Sequence, residues 1–363
     1  MDQRVPFLRN GWYVVAMSQE VGRSLFSRRV LDEPLVMYRT GSGAPVVLED
    51  YCPHRLLPLS KGCLVGDAVQ CGYHGMQFDP AGVCIKIPGE KQLPRDLRVR
   101  RYPVVEKHRW LYAWMGEPEL ADPKLIPEFA DPTEWDGWHH ASGLFPAKCN
   151  YLLILDNIMD LSHLAFVHAS SVGSASIADR AVVETSTHGD RVRVVRTTCD
   201  VAPASTYAHF GRFEGNIDRW QVTEYAPPAY FLVNNGSKPT SDRPPGEQDT
   251  RGQGIWGFQV YHAITPETET TSHDFWTVGA PEGMLPSEAR APFRKTIEDI
   301  LDEDRVVYDA QQKAVEAKSE LGRFGRVPSR VVLTGDKALV AARRVLQGKL
   351  NAERVAAAPA TAE

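Results

Sequence analysis

CPHRLLPLSKGCLVGDAVQCGYHGM, residues 52–76, sets Cys52 and His54 two positions apart, then Cys71 and His74 three apart, with sixteen residues between the pairs. Thiolates and imidazoles gathered in so short a stretch are metal-binding chemistry, suited to zinc or to an iron–sulfur cluster. Zinc sites commonly open with two ligands separated by two or more residues, so a Cys-x-His start fits zinc less well than a cluster held by two Cys and two His. Pro53, Gly62, Gly72 and Gly75 supply the tight turns that ligand loops need. On either side, from 11 to 115, short β-rich runs (WYVVAM, PLVMYR, PVVLED, LRVRRYPVVE, RWLYAWM) alternate with Gly, Pro, Asp and Asn. That pattern predicts a small all-β unit with the motif in its loops.

The chain of 363 residues is long enough for two or three domains and has an ordinary globular balance of apolar and charged residues. A net charge of −5, spread without long runs, excludes a basic surface for nucleic acid or an anionic membrane. The first residues hold no continuous apolar signal core, and no apolar run approaches the roughly 18 residues of a membrane span. A soluble, cytoplasmic protein is expected. Six cysteines in such a chain are too few for a disulfide scaffold. Cys63, Cys84, Cys149 and Cys199, outside the motif, read as small buried hydrophobes.

Residues 118–138 are rich in Pro and acids without periodicity, and the expected boundary lies there: a cluster-binding domain over 1–117, a linker over 118–138, a catalytic domain over 139–350 and a flexible tail over 351–363. The second domain reads as α+β, with a helix over 151–168, strands such as RVRVVRTT, AYFLVNN and IWGFQVYHAI, a mobile loop over 237–254, and a long helix from about 288 to 320. In NYLLILDNIMDLSHLAFVHAS, 150–170, the predicted helix is apolar round most of its circumference, yet Asp156, Asn157, Asp160 and His163 share one stripe. Asp160 and His163 are neighbours on it. His163 and His168, five apart, can reach one metal only if the helix distorts or ends between them. Two His and one carboxylate make a facial triad for non-haem Fe(II). The carboxylate predicted to complete it is Asp304, which takes a slot in the apolar stripe Phe293, Ile297, Ile300, Leu301, Val307, Tyr308. A structural salt bridge is the alternative for that acid. Asp299, Asp302 and Glu303 read as a solvated face.

These motifs resemble the Rieske non-haem iron oxygenases. Cys52, His54, Cys71 and His74 look like their [2Fe–2S] ligands. DNIMDLSHLAFVH followed by DEDRVV is similar to their mononuclear iron motif at Asn157, Asp160, His163, His168 and Asp304. Respiratory Rieske proteins carry extra cysteines where this chain has Leu57 and Tyr73. FLRNGWYVVA at 7–16 and HAITPETETTSHDFW at 262–276 resemble the vanillate, dicamba and toluenesulfonate members of the family. The resemblance implies an N-terminal all-β Rieske domain and a C-terminal helix-grip domain, an antiparallel sheet with helices, usually in a head-to-tail homotrimer. It implies Asp160 bridging His163 to a neighbouring subunit's His74, and Asn157 beside the iron. It implies electrons from NADH through a separate flavin and iron–sulfur reductase, since no G-x-G-x-x-G follows a strand here. The activity implied is oxidation of a small aromatic acid by O₂, such as O-demethylation of a methoxybenzoate. Aryl-methyl hydroxylation and cis-dihydroxylation are the rival chemistries, and a Rieske electron carrier the rival class. His262 resembles a substrate-contacting His of the dicamba enzyme, with a hydrogen-bonded strand His as the alternative. That enzyme's substrate-binding Asn falls near Phe231–Asn235 without a clean match. Residues 169–183 are expected as a lid over the pocket.

Overall fold

A computed structural model describes residues 7–128, 137–241, 255–317 and 333–357. The chain forms two compact units: Phe7–Ile126 with Thr265–Glu269, and the remainder. The division after Ile126 lies inside the acidic, Pro-rich stretch. Parts of the predicted linker, the 237–254 loop, the tail and the end of the long helix fall outside the described residues.

The N-terminal unit is all β. Its strands are β1 (Trp12–Met17), β2 (Phe26–Val30), β3 (Glu33–Arg39), β4 (Pro45–Glu49), β5 (Cys63–Val65), β6 (Ala68–Gln70), β7 (Gln77–Phe78), β8 (Cys84–Lys86), β9 (Val104–Lys107) and β10 (Trp110–Trp114). They form three small sheets, ordered β1-β10-β9, β2-β3-β4 and β5-β6-β7-β8. Residues 97–103 of the run LRVRRYPVVE are not a strand and make only isolated bridges, Val83 to Arg98 and Leu48 to Arg101. Val36, Leu48, Leu59, Val69 and Phe78 pack round Cys52 and Cys71 in one core cluster. The β2–β3 hairpin turns on Leu31 and Asp32, both in the left-handed region (φ 53° and 65°). Their amides donate to the carbonyls of Pro266 and Glu267, and Thr265 Oγ1 donates to the Val14 carbonyl.

The second unit is built on a seven-stranded sheet, β11 (Trp138–Ala147), β12 (Val182–His188), β13 (Arg191–Val201), β14 (Ile217–Ala226), β15 (Tyr230–Pro239), β16 (Trp256–Pro266) and β17 (Ser272–Pro281), in the order β11-β17-β16-β15-β14-β13-β12. Neighbouring strands pair antiparallel. β16 is buried at every position, as expected of a strand covered on both faces, whereas β13 alternates buried and open residues. Helices α1 (Tyr151–Met159), α2 (Ala175–Arg180), α3 (Ser205–Gly211), α4 (Ser287–Ala317) and α5 (Lys337–Ala357) complete it, with α1 against both α4 and α5. The helix expected over 151–168 stops at Met159. Strand β15 runs through Pro239, into the stretch read as a loop, and α5 is helical through 357, into the stretch read as a tail. No helix among the described residues is long and apolar enough to cross a membrane.

Candidate metal centres

In the N-terminal unit the two motif loops repeat one backbone pattern. The Cys52 amide donates to the Leu57 carbonyl and the Leu56 amide returns to Cys52; the Cys71 amide donates to the Met76 carbonyl and the Gly75 amide returns to Cys71. The residue four after each Cys is left-handed in both, Leu56 at φ 58° and Gly75 at φ 72°. Asp50, buried, accepts from the Ser60 amide at 2.7 Å and hydroxyl at 2.6 Å and so braces the first loop. Gly62 lets the strands meet, since a Cβ there would lie 1.8 Å from the Gln70 carbonyl oxygen.

The result is asymmetric. Cys52 and Cys71 are buried, while His54 and His74 are exposed with ring centroids 4.5 Å apart. Burial pushes the Cys52 thiol up, and the Cys71 thiol adds to this, while the amides of His54 and Arg55 pull it back. Two sulfurs inside and two imidazoles outside fit a [2Fe–2S] cluster whose irons have unlike ligands. Of the four other cysteines, Cys84 and Cys149 are buried as expected, but Cys63 and Cys199 are exposed. Cys63 starts the short β5 with its side chain on the outer face, and Cys199 sits at the irregular end of β13 pairing.

In the second unit, Asn150 caps α1 by accepting from the Leu152 amide, and the helix ends at Asp160 (φ −123°, ψ 93°). Asp160 then caps a short 3₁₀ turn, 161–165, its carboxylate accepting from the Ser162 amide at 3.0 Å and hydroxyl at 2.9 Å. The α-helix therefore ends before His163, the 3₁₀ turn ends at Ala165, between His163 and His168 as expected, and Asp160 and His163 do not share an α-helical stripe. His163 Nδ1 donates to the main-chain carbonyl of Asp160 at 2.8 Å, which leaves the carboxylate for Ser162 and for Arg196, 3.2 Å away. The tautomer of His163 is thus set by a backbone oxygen, where a carboxylate was expected. Arg196 is almost wholly buried; burial pulls its guanidinium down and Asp160 partly offsets this.

α4 carries Asp304 at a buried position in line with Phe293, Ile297 and Tyr308. Its Oδ1 lies 3.6 Å from His163 Nε2 and 3.2 Å from His168 Nε2, and accepts from Asn157 Nδ2 at 3.0 Å. The three candidate ligand atoms lie within 4.8 Å of one another, an arrangement able to hold one metal ion. Two neutral imidazoles and one carboxylate suit Fe(II) and leave positions open. Glu303, read from sequence as solvated, instead accepts from His168 Nδ1 at 2.6 Å and from Ser171 Oγ at 2.9 Å. Burial, the largest influence on both histidines, lowers His163; on His168 the Asp304 and Glu303 carboxylates outweigh it and raise the imidazole.

These groups open on a cavity enclosing about 90 Å³, walled by α1, α4 and the sheet. His262 lines it, buried, with Nδ1 3.0 Å from both carboxylate oxygens of Asp274. Of Phe231–Asn235, alternation turns Val233 and Asn235 to the cavity. Gln221 joins them, donating from Nε2 to Asn235 Oδ1 at 3.0 Å. From the segment expected as a lid, Val172 contributes to the wall and 175–180 form α2. Glu303, Asp274, Gln221 and Arg196 were not singled out from sequence; Arg196 alone left a mark there, breaking the buried Val192, Val194 alternation of β13.

Comparison with known proteins agrees with both halves of this architecture. Residues 11–103 match the Rieske [2Fe-2S] domain, and 147–352 match the vanillate O-demethylase oxygenase C-terminal domain. The chain is 36% identical to a putative toluene-4-sulfonate monooxygenase system iron-sulfur subunit of Comamonas testosteroni, over 97% of this chain and 99% of that one. It is 33% identical to a vanillate O-demethylase oxygenase subunit of a Pseudomonas species, over 97% of each. Among solved structures it resembles dicamba monooxygenase bound to 3,6-dichlorosalicylic acid, with a TM-score of 0.84 at 30% identity over 96% of this chain and 99% of that one. A Rieske domain joined to this catalytic domain, over nearly the whole length of such relatives, means that the chain belongs to the Rieske non-haem iron oxygenases of the vanillate O-demethylase type, as the oxygenase component of a monooxygenase.

Proposed function

We propose that this oxygenase O-demethylates a small methoxylated aromatic acid such as vanillate, releasing a phenol and formaldehyde. The observation that carries the reading is the cavity in which His163, His168 and Asp304 meet a mostly apolar wall with a few polar groups, the design of a site for a small arene. In this reading Cys52, His54, Cys71 and His74 hold the cluster, and His163, His168 and Asp304 hold Fe(II). When bound, these groups supply single electrons and O₂ activation for hydroxylating a C–H bond: ArOCH₃, O₂, NADH and a proton become ArOH, formaldehyde, water and NAD⁺.

The chain's own residues do the rest. Glu303 and the Asp160 carbonyl hold the two imidazoles with Nε2 toward Asp304. Asn157 donates to Asp304 and so restricts that carboxylate's rotation. Phe258, Val260, Ile297 and Leu301 exclude water from the cavity. The chain joins a head-to-tail homotrimer in which Asp160, its carboxylate still 17% exposed, bridges His163 to His74 of the partner subunit. A separate flavin and iron–sulfur reductase delivers the electrons.

Reducing the iron-loaded protein anaerobically, adding vanillate and O₂, and quenching after one turnover tests the reading. Formaldehyde with 3,4-dihydroxybenzoate supports it; reoxidation without either product refutes it for vanillate. The identity to the toluene-4-sulfonate subunit favours a second reading, hydroxylation of an aryl methyl, for which the same assay with 4-toluenesulfonate yields the benzylic alcohol.

A further inference from the structure

Asp160 is held by two distant segments that its place as a helix cap does not require. As the cap of the 3₁₀ turn it needs only Ser162, two positions on, whose amide and hydroxyl donate to it. A neutral Asn or Ser caps a helix about as well. Yet a guanidinium from the sheet, that of Arg196 on β13, reaches Asp160 Oδ1 at 3.2 Å. A third segment closes on the same carboxylate: a Cβ on Gly335, in the turn Thr334–Asp336, would lie 2.9 Å from Oδ2 and 3.1 Å from Oδ1.

Arg196 is costly where it stands. Val192, Val194 and Thr198 share its row on β13, and all are buried. An apolar side chain would continue that row without a desolvation penalty, and buried ion pairs replaced by apolar residues are often no less stable. Stability is therefore a weak reason for the pair. Arg196 stands opposite Gln221 of β14 but lies outside the lining of the cavity, so substrate contact is not the reason either. The other buried guanidinium of this face, Arg219, opposite Thr198, donates to the Val172 carbonyl and the Tyr207 hydroxyl. Among the described residues Arg196 is the one cation paired with Asp160.

What Arg196 supplies is direction. Ser162 belongs to the turn that Asp160 caps, so its bonds fix the carboxylate only relative to that turn. Arg196 ties it to a strand that is itself paired on both edges. The Asp160 side chain keeps 17% exposure, so one edge of it stays open.

We propose that Arg196 is a positioning residue for electron transfer between subunits, holding the Asp160 carboxylate in the orientation that reaches His74 of the partner subunit. The inference rests on the reading of Asp160 as the bridge and adds the group that aims it. One electron leaves the cluster of one subunit and one arrives at the iron site of the next, with no bond made or broken at Asp160.

The test is the iron-dependent part of cluster reoxidation. Reduced protein, iron-loaded or stripped of mononuclear iron, is mixed with O₂ and 4-hydroxy-3-methoxybenzoate, and cluster absorbance is followed by stopped flow. Freed from Arg196, Asp160 can visit three staggered χ1 wells, so Arg196→Met should slow the iron-dependent rate about threefold, with iron content and cluster absorbance unchanged. Arg196→Lys, which keeps a cation, should fall between that variant and the wild type. In an Asp160→Asn background Arg196→Met should slow nothing further, because it acts only through that carboxylate. Melting temperature should show the same coupling: each single change strands a buried partner and costs a few degrees, and the double variant is no worse than the worse single one. A wild-type rate for Arg196→Met, extra slowing in the double variant, or additive losses of melting temperature overturns the proposal. Should Arg196→Met fail to fold, the double variant, with no lone charge, still decides. A wild-type rate for Asp160→Asn refutes the bridge itself; a slow Asp160→Asn beside an unaffected Arg196→Met removes this inference alone.

Discussion

Replacing Glu303 tests whether a residue that touches no substrate governs the iron site. Its carboxylate accepts from His168 Nδ1 at 2.6 Å, a charge-assisted bond to an imidazole that is 1% exposed. Such bonds contribute about 1.5–3 kcal/mol. At about 1.4 kcal/mol per decade, that is roughly 10- to 150-fold in affinity for whatever His168 ligates. Because the Glu303 side chain is 28% exposed, water can replace part of the interaction, and the lower half of the range applies. Glu303→Gln keeps an acceptor and loses the charge, so mononuclear iron should bind about tenfold more weakly; Glu303→Ala loses both and should reach about 30-fold, in line with other carboxylates hydrogen-bonded to metal-ligating histidines. Ser171→Ala, which removes a neutral donor shared between Glu303 and the His168 carbonyl, should cost a few-fold. The assay is competition for iron with a chromogenic ferrous chelator, with the cluster's visible absorbance as an internal standard. If both Glu303 variants hold mononuclear iron within twofold of the wild type, the bond to His168 does not support the site.

Three further outcomes follow from the geometry. His163→Ala should lower iron from three to two atoms per chain with cluster absorbance unchanged, measured by iron analysis; loss of absorbance would mean the two sites are not separate. Asp160→Asn should keep both metals, since His163 is held by the Asp160 carbonyl, yet lower reductase-supported turnover at least tenfold; normal turnover would remove the bridging role. Gly62→Ala should lower the melting temperature by several degrees and bleach the cluster, because its Cβ would collide with the Gln70 carbonyl, whereas Gly22→Ala, with open space around it, should do neither.

The sequence was most informative where chemistry violates a pattern. Cys and His clustered in a turn-rich β region at a spacing that fits a cluster better than zinc, and Asp304 interrupted an otherwise apolar helix stripe. Both features follow from the cost of burying polar groups without partners. What escaped depends on short-range backbone choices and on contacts across the fold. A helix through His163 satisfied the apolar periodicity of 151–168, and the Asp160 cap that ends it is a local hydrogen-bond preference that periodicity does not register. Glu303 is one residue from Asp304, so about 100° round α4 and at the edge of the buried stripe, where a charged residue looks solvated until His168 comes to meet it from another segment. Asp274, Gln221 and Asn235 acquire partners only through strand register, and no spacing within one strand reports that.

The short segment Thr265–Glu269 belongs to the N-terminal unit although more than a hundred residues separate it in sequence. It caps a hairpin turn made by Leu31 and Asp32, both left-handed, a conformation that Leu in particular rarely adopts, and their amides lean here on the Pro266 and Glu267 carbonyls. A gene fragment ending near codon 126 would therefore encode a cluster domain with one of its turns unsupported. Recombination between relatives faces the same restriction: a single crossover in the acidic linker pairs one parent's hairpin with the other parent's clasp, so transplanting the electron-transfer half demands a second exchange at 265–269.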